Sequence, residues 1–205
     1  MPLTIYPGNI NDRHLAQAVE IVRKGGVIVI PTDTVYALAC DIHATPAIER
    51  IARMKQVKPG KANFSFICQD LSNISEFTRP FNTEIFRLMK SVLPGPFTFI
   101  LNANSNVPAI FKSNKKTIGI RVPDNTIARA LVRELGHPVM VTSVHDDDEL
   151  VEYTTDPHAI EERLGDQVDL VIDGGKSELT PSTVIDCTGN EPVVIREGKG
   201  TLPTL

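Results

Sequence analysis

The sequence predicts an α/β protein, a single domain in which helices pack on a twisted mixed sheet. Three observations carry this. Short aliphatic runs such as Val27-Ile28-Val29-Ile30 have the pattern of strands buried on both faces. Between such runs lie segments whose apolar residues recur three and four apart, as on the buried face of a helix. Strict strand–helix alternation then fails late in the chain. The segments 168–172, 183–186 and 193–196 all read as strands and have no helix between them, which favours a mixed sheet over a purely parallel one.

Taken in order, residues 9–24 read as a first helix. Leu15, Val19 and Val22 share a face, Asn11 or Asp12 is the cap and Gly25-Gly26 the stop. The strand 27–31 follows and ends at Pro31, which has no N–H for a ladder. Thr45-Pro46 reads as a cap followed by proline at the first helical position, and Ile48, Ile51 and Ala52 as the apolar face of a helix ending near Lys55. The Pro59-Gly60 pair makes 55–61 a loop, and 64–68 alternates like a strand. A short helix is expected at 70–75 and a longer one at 83–92, halted by Pro94-Gly95-Pro96. Strands at 97–101 and 117–122, a helix carrying Ile127, Leu131 and Leu135 and ending at Gly136, a strand at 138–142 and a helix from Asp156-Pro157 to Leu164 lead to the final three strands. The count is roughly eight strands and five or six helices, with no internal repeat and no linker.

Composition narrows the functional classes. The chain has 205 residues, 41% of them hydrophobic and 22% charged, enough to bury a proper core. No apolar run approaches membrane-spanning length and the first residues lack a basic-then-apolar signal pattern, so the cytoplasm is the expected compartment. Cys40, Cys68 and Cys187 have no paired spacing, which argues against a disulfide framework or a zinc site and for buried reduced thiols. A net charge of −4 gives no global attraction to nucleic acid or anionic membrane, so any polyanion site has to be a local basic patch.

Chemistry is expected first where the strand 27–31 ends. Thr32, Asp33, Thr34 and Tyr36 put three hydroxyls and a carboxylate just beyond Pro31, where open α/β sheets bind ligands. The same residues also favour turns, by bonding their own backbone. Arg53, Lys55, Lys58 and Lys61 form one basic group, and Lys112, Lys115, Lys116 and Arg121 a second. Flexible lysines beside glycine suit phosphate, although a solvated loop is the other reading. Arg121 stands inside an otherwise apolar strand and needs an anionic or carbonyl partner, a ligand carboxylate or phosphate among them. Ser143 and His145 follow one strand, and Ser182 and Thr183 follow Thr180-Pro181. No Gly-x-Ser-x-Gly elbow, phosphate-loop or dinucleotide glycine motif is present, and no serine pairs with a base, so no catalytic side chain is assigned. Asp146-Asp147-Asp148-Glu149 reads as Mg²⁺ ligands or as a solvated acidic loop.

Ordered blocks run through residues 9–200: Pro31-Thr32-Asp33-Thr34-Val35-Tyr36, Pro94-Gly95-Pro96 with Thr98, Gly119-Ile120-Arg121-Val122-Pro123, Thr142-Ser143, Asp173-Gly174-Gly175, Pro181-Ser182-Thr183-Val184 and Arg196-Glu197-Gly198. Together they resemble the YrdC/YciO group, which contains the threonylcarbamoyl-adenylate synthases. The resemblance implies a twisted α/β fold with a wide positive cleft. It also implies a reaction in which threonine and bicarbonate form a carbamate that attacks the α-phosphate of ATP, with Mg²⁺ as helper, for the modification of tRNA. Such a nucleotidyl transfer needs positioning and charge neutralisation rather than a nucleophilic side chain. Carried over by resemblance, Thr32, Arg121 and Ser182 contact the amino acid, with Arg121 meeting its carboxylate, and Lys55, Ser143 and Arg196 contact the nucleotide. Thr34, on the same rim, is a further candidate for the amino acid, and Lys58, in the basic loop, for the nucleotide.

The chain also departs from the synthases. Lys55-Gln56-Val57 replaces their Lys-x-Arg, and Ser143-Val144-His145 replaces their Ser-x-Asn. One lost charge-assisted phosphate contact costs on the order of 1.5–3 kcal/mol, about tenfold to a hundredfold in affinity. Tyr36-Ala37-Leu38-Ala39 adds methyl groups where the synthases have glycines. In these features the chain resembles the YciO branch. An enzyme of the synthase type and a weakly catalytic or non-catalytic binder of nucleotide or double-stranded RNA are the two readings. The basic loops permit RNA, while the absence of Trp argues against a stacking platform for single strands.

Overall fold

The computed structural model describes residues 1–59, 63–111, 116–144 and 152–203. Among these lie ten strands: β1 (Leu3–Thr4), β2 (Ile28–Ile30), β3 (Ala37–Asp41), β4 (Ser65–Ile67), β5 (Phe97–Asn102), β6 (Thr117–Arg121), β7 (Val139–Ser143), β8 (Leu170–Asp173), β9 (Thr183–Asp186) and β10 (Val193–Arg196). Five α-helices accompany them: α1 (Asp12–Arg23), α2 (Thr45–Met54), α3 (Thr83–Val92), α4 (Thr126–Leu135) and α5 (Pro157–Leu164). The strands form one twisted sheet in the order β1-β8-β2-β3-β7-β4-β6-β5-β9-β10. It is mixed: β1/β8, β8/β2, β4/β6 and β5/β9 are parallel, and the remaining neighbours are antiparallel.

Strand periodicity divides the core. Val29, Leu38, Cys40, Phe66, Phe99 and Ile120 point to one face, where α2, α3 and α5 pack. Ile28, Ile30, Ala37, Ala39, Ile67, Val139 and Val141 point to the other, under α1 and α4. This second core stops at β4, because none of its members comes from β5, β6, β9 or β10.

Most boundaries follow from capping chemistry. Asn11, Asn82, Asn125 and Asp156 each accept a backbone N–H of the first turn of α1, α3, α4 and α5. Gly136 ends α4 at φ +91°, a left-handed conformation that a Cβ would disfavour. Three expectations are corrected. The cap of α2 is Ala44, whose carbonyl takes the first helical bonds, and Thr45 is already helical. The segment at 70–75 is a 3-10 turn at Ile74–Glu76, because Asp70 captures the Ser72 amide at 2.7 Å in a local turn. Two strands were not anticipated. β1 has only two residues, and β3 lies directly after the rim, where alanines weaken the strand signal.

All three cysteines are buried and free, and burial pushes the Cys68 and Cys187 thiols up to about 12. No helix among the described residues is long and apolar enough to cross a membrane.

Candidate functional site

The segment leaving β2 is built from its own hydroxyls. Thr32 Oγ1 donates to the Val35 carbonyl at 2.7 Å and accepts the Thr34 amide at 3.1 Å, which locks a tight turn with both threonines buried. That turn delivers Asp33 and Thr34 to Arg121, the last residue of β6. Arg121 Nη2 donates to Asp33 Oδ1 at 2.9 Å and to Thr34 Oγ1 at 3.0 Å, and Asp33 Oδ2 accepts the Asp124 amide at 3.0 Å. The anionic partner that a buried arginine requires is therefore supplied by the chain itself.

The pair is deeply placed, with side chains 9% and 6% exposed. Burial pulls the Arg121 pKa down, Asp33 pulls it up and Arg196 nearby pulls it down again. A guanidinium is effectively always protonated, so Arg121 remains a cation. Its donors are not all used. Nε is buried and, among the described residues, has no partner.

Beside Arg121, where the second apolar core has stopped, this face of the sheet carries a row of buried polar residues. The β5/β6 register, Phe99 opposite Ile120, continues to place Thr98 opposite Arg121. Thr98 Oγ1 lies 2.8 Å from Ser182 Oγ, and both residues are buried. Arg196, at the end of β10, donates through Nη2 to the Ser182 carbonyl at 2.9 Å. Gly119 forms the floor, since a Cβ there would stand 2.5 Å from Ser65 Oγ and 3.3 Å from Thr98 Cγ2. Small hydroxyls, a bare glycine and two guanidiniums come together here (hereafter the cradle), a chemistry suited to anionic, hydrogen-bonding groups.

The chain is clasped around this cradle. Lys199 Nζ donates to the Asp33 carbonyl at 2.7 Å and pairs with Glu178 at 2.9 Å, while the Glu178 amide donates to the Thr34 carbonyl at 3.2 Å. Tyr36 OH donates to the Gly175 carbonyl at 2.6 Å and accepts the Gly174 amide at 3.1 Å, and burial holds its pKa far above the ordinary phenol value. Gly198 lets the return strand close. A Cβ on it would lie 2.4 Å from the Pro181 carbonyl and 2.5 Å from the Ser182 carbonyl carbon, both backbone. Gly198→Ala is therefore expected to push Ser182 out of place and to cost about 1–3 kcal/mol as overpacking does. Denaturant titration reads the loss.

The site thus brings together Thr32, Thr34, Arg121, Ser182 and Arg196. Ser143 closes β7 opposite Ala37 on the same face of the sheet, and the Val144 amide bonds the Tyr36 carbonyl. Lys55 caps α2, half-buried, and Lys58 is exposed three residues later. Lys61, Lys112, Lys115, His145 and the acidic run 146–149 lie outside the described residues. Lys199, Glu178 and Ser65 were missed by sequence reasoning. The only signal for Lys199 was its place between Gly198 and Gly200.

Known proteins match this architecture. Residues 20–198 match the Sua5/YciO/YrdC family, described as "Telomere recombination". The uncharacterized protein YciO of Escherichia coli K12 is 49% identical over 198 residues, 96% of this chain and 94% of that protein. The crystal structure of E. coli YciO superposes with a TM-score of 0.90, covering 98% of this chain and 97% of that one at 47% identity. A threonylcarbamoyl-AMP synthase of Bacillus subtilis is 30% identical over 92% of this chain, which spans 54% of that enzyme. The structure of P. abyssi Sua5 complexed with L-threonine has a TM-score of 0.87 at 25% identity, over 97% of this chain and 57% of that one. The chain belongs to the Sua5/YciO/YrdC family.

Proposed function

We propose that the cradle binds an amino acid and ATP and forms a threonylcarbamoyl-adenylate-type product. One observation carries the reading: the buried Arg121 guanidinium, whose Nε has no partner among the described residues, stands beside Gly119 and the buried hydroxyls of Thr34, Thr98 and Ser182. The similarity to an L-threonine-bound relative supports placing the amino acid there. Arg121 would meet the carboxylate, and Thr32, Thr34 and Ser182 would orient the remaining polar atoms. Lys55, Lys58, Ser143 and Arg196 would hold the nucleotide, with Arg196 next to the phosphates.

In the balanced reaction, the threonine amine and bicarbonate condense to a carbamate with loss of water. A carbamate oxygen then bonds to the α-phosphorus, the bond to the bridging oxygen breaks, and pyrophosphate leaves. The protein's part is to align the attacking oxygen and neutralise phosphate charge. Mg²⁺ fits as a companion of the triphosphate, whose oxygens and water supply most of its coordination. Among the cradle's described carboxylates, Asp33 is engaged by Arg121 and Glu178 by Lys199.

Val57 favours a second reading. It is 40% exposed at the position where the resemblance implies a phosphate-binding arginine. An aliphatic side chain there weakens the grip on ATP and suits a binder of nucleotide or double-stranded RNA with little turnover.

The deciding measurement is pyrophosphate release from ATP, Mg²⁺ and bicarbonate, with and without threonine. Threonine-stimulated release that Lys55→Ala lowers by about tenfold or more, the effect of a lost charge-assisted contact, supports the enzyme. No release, with salt-sensitive RNA affinity, supports the binder.

A further inference from the structure

A second cluster of chemistry-bearing side chains lies at the end of β3 away from Tyr36, about 13 Å along the strand at ~3.3 Å per residue. There the β3/β7 ladder pairs Asp41 with Val139. His137 stands two residues before Val139, and beyond Asp41 the chain turns, with the Asp41 carboxylate taking the His43 amide and the Asp41 carbonyl the Ala44 amide, which brings His43 back beside them. The three side chains converge: their ligating atoms all lie within 4.8 Å of one another. His137 Nε2 stands 3.4 Å from Asp41 Oδ2, and the rings of His43 and His137 meet edge-on with centroids 5.3 Å apart.

Hydrogen bonds assign roles to the donor atoms of His137 and Asp41. His137 Nδ1 lies 3.0 Å from the Pro138 carbonyl, which only accepts, so Nδ1 carries the hydrogen and Nε2 of the neutral ring turns its lone pair toward Asp41. Asp41 Oδ1 accepts the His43 amide at 2.8 Å, which leaves Oδ2 facing the imidazole. Two lone pairs at this separation repel unless a positive species lies between them. A tetrahedral ion with ligands at ~2.0–2.1 Å holds its donor atoms about 3.3–3.4 Å apart. Ligating histidines characteristically donate their second ring N–H to a carbonyl, as His137 does.

We propose that Asp41, His43 and His137 bind a divalent transition ion of the zinc type, with water as the fourth ligand. Two imidazoles and one carboxylate suit zinc and its congeners, whereas Mg²⁺ and Ca²⁺ demand oxygen shells. The ion would pin the end of β3 to the start of β7. It is separate from the Mg²⁺ that accompanies ATP. The competing occupant is a proton, which would make His137 and Asp41 an ordinary ion pair.

The test uses the untagged full chain, stripped with chelator, titrated with Zn²⁺ by calorimetry and with Co²⁺ by visible absorption. The expected result is one ion per chain, a four-coordinate Co²⁺ spectrum and a Tm that rises with Zn²⁺. Even outer hydrogen-bond partners of such ligands are worth 10–100-fold in affinity, so His43→Ala and His137→Gln should each weaken binding by about a hundredfold or more. His43 is exposed and touches the His137 ring edge-on without entering the core, so its removal leaves the core packing intact and should shift the metal-free Tm little. Absence of stoichiometric binding overturns the proposal, as does binding that persists in the His43→Ala/His137→Gln double variant.

Discussion

Arg121→Met is expected to cost about 3–5 kcal/mol of stability, because it leaves the Asp33 carboxylate buried opposite an apolar side chain. Asp33 is only 6% exposed in its side chain and accepts from Arg121 and the Asp124 amide. The substitution removes the first of these and leaves one backbone N–H to carry the charge. Chemical denaturation of the single and double variants measures the effect. Adding Asp33→Asn to Arg121→Met should recover much of the loss, since the stranded charge goes with it. Equal losses in the single and double variants would show that Arg121 acts through packing instead. Arg121→Lys keeps the charge but loses the planar fork that reaches Asp33 and Thr34 together, and should fall between the two.

Phe66→Ala is expected to be comparably damaging, at about 3–5 kcal/mol. Phe66 is fully buried in β4, where its ring meets Phe77 and Phe111 edge-to-face at 5.5 and 5.2 Å. Each such aromatic contact adds about 0.5–1.5 kcal/mol beyond area burial. The cavity would open directly beneath the cradle, because Phe66 pairs with Ile120, between Gly119 and Arg121. Phe66→Leu, which keeps most of the volume, should cost distinctly less. The two denaturation midpoints separate a cavity effect from a general loss of strand propensity.

Local chemistry made much of the fold legible. α3, β9 and β10 lie where expected, since caps, prolines and aliphatic runs act over a few residues. β3 was hidden because Ala37 and Ala39 have little strand preference and no turn dipeptide announces a hairpin after β2. Strand order was illegible for a different reason. β8 lies between β1 and β2, and β9 beside β5, through pairings that no local pattern encodes. The candidate site was read in the same uneven way. Arg121 declared itself as a charge in an apolar strand, but nothing in the sequence pairs it with Asp33. Lys199 and Glu178 became visible only when the last strands brought them across the rim. The Asp41, His43 and His137 cluster depends on the β3/β7 register, so it too was invisible in sequence.

A ribosome releases Thr32, Asp33 and Thr34 long before their partners exist. Arg196 follows Thr34 by about 160 residues, on the order of 8–30 s of synthesis at ~5–20 residues per second. During that interval β2 holds β3 on one edge, while its other edge waits for β8 at Leu170–Asp173. An aliphatic strand with an unpaired edge is a template for joining the wrong chain. The edge of β2 therefore stays open until β8 has been made, and Ser182 and Arg196, which complete the cradle, leave the ribosome only after that.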